Sequence, residues 1–137
     1  AWRARIALVP QRPHFPNVTL GEWLDVRGSG GDAWHALRLA DADGIVERLP
    51  EGLDTRLGET GGGVSGGEAR RLMLARAFMA GGDLVLADEP TADLDTETAE
   101  RIVAALKRLN AEGRAVIVAT HDPALAAAMG RQLEFVA

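Results

Sequence analysis

Apolar positions along the chain change spacing several times, and each change predicts a change of element. Arg5 to Val9 is a short apolar run ended by Pro10 and reads as a strand. Pro10, Pro13 and Pro16 then make the stretch through Asn17 a loop. From Thr19 to about Leu49 the spacing turns helical, with Leu20, Trp23 and Leu24, then Trp34, Leu37 and Leu39, on either side of the turn-prone Arg27-Gly28-Ser29-Gly30-Gly31. After Gly61-Gly62-Gly63, Ser65 to Ala80 predicts a helix with Leu72, Ala75 and Met79 on one face and Gly81-Gly82 as its stop. Ser65 and Glu68 have capping-box spacing. Leu84 to Ala87 and Ala115 to Ala119 are continuous apolar runs, the pattern of strands buried on both faces of a parallel sheet. Between them, Thr96 to Asn110 is amphipathic, with Ile102, Val103, Leu106 and Leu109 inward and Arg101, Lys107 and Arg108 outward. Strand, helix, strand is a βαβ crossover. Asp122-Pro123 caps a further helix, and Gln132 to Val136 reads as a last strand.

Composition narrows the class. At 137 residues, 47% apolar and 26% charged, the sequence has the make-up of one soluble globular domain with a modest core, rather than a disordered or fibrous chain. A net charge of −5 gives no electrostatic reason for binding nucleic acid. Without cysteine there is neither a disulfide framework nor a thiolate metal site. No apolar run approaches the ~20 residues of a membrane helix; if the protein works at a membrane, other segments make the contact.

Chemistry-bearing residues cluster at the ends of the predicted strands. Asp88 and Glu89 close one strand, at the edge where parallel sheets place their ligands and where a carboxylate can hold Mg²⁺ or polarise a water. A plain alternative is a polar strand end before Pro90. Ser65-Gly66-Gly67 sits at a helix start, where free N–H groups attract anions, or is simply a capped helix after a loop. His121 follows the second strand; a lone histidine there is often structural, as His14 and His35 are most simply read. Asp95 reads as a helix cap, and Gln11 in a proline-rich loop is uninformative alone.

The ordered set is more specific than its members. Gln11, Val64-Ser65-Gly66-Gly67-Glu68, Leu84 to Pro90, Ala92-Asp93-Leu94-Asp95 and His121 together resemble the Q-loop, signature, Walker B, D-loop and H-loop of the ABC ATPase family, over nearly the whole chain. The resemblance implies a partial P-loop NTPase core of α/β class with an inserted helical subdomain: core with Q-loop over 1–20, helical signature subdomain over 21–80, core with Walker B, D-loop and H-loop over 81–137. It implies ATP and Mg²⁺ as cofactors, Glu89 and His121 as catalytic residues, and Gln11, Ser65, Gly66, Gly67, Asp88 and Asp93 at the nucleotide, with Gln11 and Asp88 at the metal. Glu68 departs from the family's usual glutamine but keeps the cap.

Walker A, G-x-x-x-x-G-K-[ST], does not occur, and the only lysine, Lys107, is in mid-helix. The Walker A strand and loop are thus absent, as is the family's adenine-stacking aromatic. The expectation is an excerpt of a longer protein, inactive alone, with apolar sheet faces exposed and hence unstable or oligomeric. Leu53 to Gly61, with Glu59, resembles the stretch that in exporters lies near the transmembrane coupling helix. Ala87 to Thr98 is similar to the bacterial cysteine/glutathione exporters of cytochrome bd assembly. The implied partners are a second ABC ATPase domain and an exporter's transmembrane domain, at the cytoplasmic face of the inner membrane. Two alternatives remain. DNA-repair or translation relatives share these motifs, although too few residues separate Gln11 from Ser65 for the repair proteins' long coiled coil. A non-catalytic regulatory lobe would explain the missing Walker A but not the retained Glu89 and His121.

Overall fold

A computed structural model describes residues 5–58 and 63–134. Three parallel strands, β1 (Ile6–Val9), β2 (Leu84–Asp88) and β3 (Ala115–Ala119), lie side by side in that order. Their register sets Val9 opposite Ala87 and Ala87 opposite Val118. The crossover from β1 to β2 carries four helices: α1 (Leu20–Leu24), α2 (Ala33–Leu39), α3 (Asp43–Arg48) and α4 (Gly66–Ala80), with a 3₁₀ turn at Gly52–Asp54. The second crossover is the single helix α5 (Thr96–Ala111), and α6 (Pro123–Ala128) follows β3.

Helix α4 is the hub. It packs against α1, α2, α5 and β1, and its buried residues, including Leu72, Met73, Leu74, Ala75 and Phe78, run around most of its circumference rather than along one stripe. The one-sided face predicted from Leu72, Ala75 and Met79 is therefore too narrow, because the short helices cover a side that would otherwise meet water. Helix α5 keeps the expected amphipathic form, with Ile102, Leu106 and Leu109 fully buried.

Helix α4 gives way to β2 at Gly81-Gly82. Gly82 has φ +88°, and a Cβ there would lie 2.7 Å from the carbonyl oxygen of Arg5, so both backbone conformation and space require glycine. This approach lets Asp83 N–H donate to the Arg5 carbonyl (2.9 Å) and Ala115 N–H to the Asp83 carbonyl (2.7 Å), aligning the three strands at their N-terminal ends.

The two sheet faces differ. Ala7, Val9, Val85 and Ala87 are buried in the core that includes α4 and α5. On the opposite face, Leu8 and Ile117 are 61% and 57% exposed, with Leu86 half-buried between them in register. The pattern of β2 and β3 leads to an expectation of burial on both faces, and the missing Walker A strand to one of exposed apolar sheet faces; the exposure of Leu8 and Ile117 agrees with the second. A last strand was expected from Gln132, but Gln132 to Glu134 is not extended into the sheet, and the rest of that stretch lies outside the described residues.

Candidate nucleotide site

Strand β2 delivers Asp88 and Glu89 to the C-terminal edge of the sheet. Asp88 is the last strand residue, exposed, opposite Ala119 of β3. At Glu89 the backbone turns left-handed, with φ +44°, a conformation that costs an L-residue about 1–2 kcal/mol. Local bonds hold it there. Glu89 N–H continues the ladder to the Ala119 carbonyl at 2.8 Å. Its carboxylate is gripped at both oxygens: Oε1 accepts from the His121 backbone N–H at 2.8 Å and Oε2 from the Thr120 hydroxyl at 3.1 Å. The His121 ring is fully exposed, with Nε2 3.9 Å from the same Oε1. Around this pair, Asp122 N–H donates to Thr120 Oγ1 (2.9 Å), and Asp122 accepts from Ala124 N–H (2.9 Å) and from the buried Thr91 hydroxyl (3.4 Å).

The second motif, at the start of α4, is self-contained. Ser65 Oγ accepts from Glu68 N–H (3.1 Å) while Glu68 Oε1 accepts from Ser65 N–H (2.9 Å), completing the predicted capping box. The Arg48 guanidinium of α3 donates to both Glu68 oxygens, at 2.6 and 3.0 Å. That hydrogen bond is the main reason the Glu68 carboxyl is lowered to about 2, with the Ser65 contacts helping. Glutamate in place of the family's glutamine thus has a charged partner of its own. Among the described residues the Gly66 and Gly67 amides make no hydrogen bond, and Gly66 has open space where a side chain would stand. Gly67 does not: a Cβ there would come 2.5 Å from Thr98 Cγ2 of α5.

Between the two motifs runs the D-loop. Asp93 is exposed and left-handed, with φ +62°. Asp95 caps α5, accepting from Thr98 N–H (3.2 Å) and from the Thr98 hydroxyl (2.6 Å); the hydroxyl bond is the first cause of its lowered pKa. Arg70 of α4 donates to the Ala92 carbonyl. Burial lowers its pKa, opposed by the charges of Asp93 and Glu89.

The structure therefore brings together Asp88, Glu89 and His121 at the strand edge, seats Arg70 on the D-loop carbonyl of Ala92, and leaves Ser65 and Gly66 exposed at a separate helix start, with Gly67 buried beside them against α5. Gln11 is half-buried just past the end of β1, the strand beside β2. Glu59 lies outside the described residues. Thr120 and Arg70 were not singled out from sequence; the position of Thr120, next to His121, was the available signal, whereas nothing in the spacing marks Arg70. No group of three or more His, Asp or Glu among the described residues could enclose a metal ion. Asp88 at the strand edge, with Gln11 past the end of the neighbouring strand, offers the oxygen donors that suit Mg²⁺, which binds by one or two carboxylates and takes its other ligands from water and phosphate.

A parallel sheet with carboxylates at its C-terminal edge and an open glycine turn at a helix start is the arrangement of a nucleotide-dependent ATPase core. Residues 1–92 match the family model described as ABC transporter, and the chain belongs to that family, as an ATP-binding domain of exporter type. It is 44% identical over 108 residues to the macrolide export ATP-binding/permease protein MacB 1/2 of Paracoccus denitrificans, covering 79% of this chain and 15% of that protein. It is 38% identical over 124 residues to the glutathione/L-cysteine transport system ATP-binding/permease protein CydC of Bacillus subtilis, covering 88% of this chain and 22% of that protein. Among solved structures, a bacterial Atm1-family ABC exporter with ATP bound superposes with TM-score 0.76 at 33% identity, over 89% of this chain and 22% of that one. The chain thus spans 15–22% of the length of these proteins.

Proposed function

We propose that this chain supplies the hydrolytic carboxylate and the signature turn of an ABC exporter that couples ATP hydrolysis to movement of a substrate across a membrane. The observation that carries the reading is the Glu89 carboxylate, held at both oxygens at the strand edge where an ABC ATPase would need to polarise water. Glu89 acts as the base and His121, its ring free in solvent, donates to the terminal phosphate. Gln11 and Asp88 hold Mg²⁺, which supplies charge neutralisation for the phosphates. Asp88, Glu89, Asp93 and Asp122 make this edge anionic, so a polyphosphate can approach only with cations. The lysine of a Walker A loop, which this sequence lacks, is the other cation required, and the chain alone is inactive.

Ser65, Gly66 and Gly67 serve the nucleotide of a second ABC ATPase domain rather than the one at Glu89. Their separation from the strand edge supports this: a helix start exposed at Ser65 and Gly66 can receive an anion brought from outside. Asp93 lies at the junction of the two domains. No helix among the described residues is long and apolar enough to cross a membrane, and two relatives are named ATP-binding/permease proteins. A transmembrane partner at the cytoplasmic face of the inner membrane completes the proposal. The test is ATP turnover of the exporter containing this chain and a Walker A loop, in detergent or lipid, with Glu89→Gln as comparison. Loss of turnover with retained ATP binding supports the reading. Unchanged turnover assigns hydrolysis to a different site and leaves this chain a regulatory half-site.

A further inference from the structure

We infer that Thr120 is the positioning residue for the Glu89 carboxylate, setting the direction in which that group faces a reacting water; the inference rests on the reading of Glu89 as hydrolytic base. Three observations carry it. First, the Thr120 hydroxyl has one available role: it accepts from Asp122 N–H at 2.9 Å, so its own hydrogen is directed to Glu89 Oε2, 3.1 Å away. A hydroxyl fixed as acceptor on one side becomes an oriented donor on the other.

Second, the other carboxylate oxygen is held by a backbone group, the His121 N–H at 2.8 Å, which no side-chain substitution removes. One anchor leaves a carboxylate free to rotate about that bond; the hydroxyl is the second anchor that fixes its plane. Third, Glu89 stands on left-handed backbone at φ +44°, so the main chain there does not favour one side-chain direction by regular strand geometry. What fixes the carboxylate is the turn after β3. Through Asp122 and its bond from the buried Thr91 hydroxyl, that turn is tied back to the loop leaving β2.

A base held a few tenths of an ångström or some tens of degrees away from its water loses rate without losing substrate affinity. The experiment measures steady-state ATP turnover of the intact exporter for wild type, Thr120→Val, Thr120→Ser and Glu89→Gln. Valine keeps the shape and removes the donor. The expected result is a kcat lower by about 10- to 100-fold, the rate equivalent of one hydrogen bond to a charged group, with KM for ATP within about twofold, and recovery in Thr120→Ser. In the Glu89→Gln background, Thr120→Val should have no further effect. Turnover of Thr120→Val at or above the wild-type rate while Glu89→Gln is inactive overturns this inference alone. An equal change in KM and kcat, or serine as poor as valine, also overturns it by showing a structural role. If Glu89→Gln is itself active, the underlying reading fails instead. Should valine fail to fold, judged by ATP binding, Thr120→Ala makes the same comparison.

Discussion

The strand edge at Glu89 and the helix start at Ser65 are both polar, both at element ends, and built on opposite plans. At the edge the key residue stands on unfavourable backbone, and its carboxylate is held by groups from another strand's exit, Thr120 and His121. At the helix start every bond is local or comes from the helical lobe: Ser65 and Glu68 cap each other, and Arg48 of α3 holds Glu68. Strain collects where a side chain must be presented against its local preference, and regular geometry suffices where the backbone itself is presented. A change at the edge should therefore show in chemistry, and a change in the Ser65–Glu68 cap or in the packing of Gly67 first in stability.

The largest effect separating the two regions is expected from Glu89→Gln, with turnover of the intact exporter falling about 10²- to 10⁴-fold while its melting temperature stays near wild type. Next comes the contrast between adjacent glycines. Gly67→Ala places a methyl group against Thr98 of α5 and should destabilise by about 1–3 kcal/mol in denaturant titration. Gly66→Ala meets open space and should change stability by less than about 0.5 kcal/mol. Any turnover lost by Gly66→Ala would then reflect the approach of a ligand. Asp95→Ala removes the α5 cap and should lower the denaturation midpoint in the same titration.

The smallest effect belongs to Glu68→Gln, which keeps an acceptor for Ser65 N–H but loses the charge facing Arg48. Arg48 is half exposed, so the loss at neutral pH should be about 0.5 kcal/mol. Its signature is in acid. The Glu68 carboxyl is lowered from the usual 4.5 to about 2. The stabilisation it gives is complete above pH 4.5 and lost as pH falls towards 2, and the variant should lack that part of the acid limb. An unchanged limb in urea titrations between those pH values would remove Arg48 as an anchor of the signature turn.

Much of this was legible in sequence because it is local. The Ser65–Glu68 box, the Asp95 and Asp122 caps and the α5 stripe depend on residues within a turn or two of each other, and each appears where the spacing puts it. What was not legible is tertiary. Arg101 and Arg108 read as solvated positions of α5, yet Arg108 donates to the Leu39 carbonyl at the end of α2, and Arg101 pairs with Asp41 in the following turn. The bond from Arg70 to the Ala92 carbonyl and that from Thr120 to Glu89 span 22 and 31 positions, and no periodicity reports them. The wide burial of α4 was missed for a related reason: its covering helices are too short to announce how they stack.

The left-handed backbone at Glu89 bears on how the chain can change over generations. Glycine is the residue that conformation prefers, and Glu89→Gly would relieve the backbone there while deleting the carboxylate. Glycine would also forfeit the bonds that the carboxylate accepts from His121 N–H and the Thr120 hydroxyl, a loss at least comparable with the backbone relief, so stability alone gives this position little reason to change. A laboratory library screened only for thermal tolerance should therefore accept glycine at position 89 without enriching it, whereas one screened for turnover should keep glutamate.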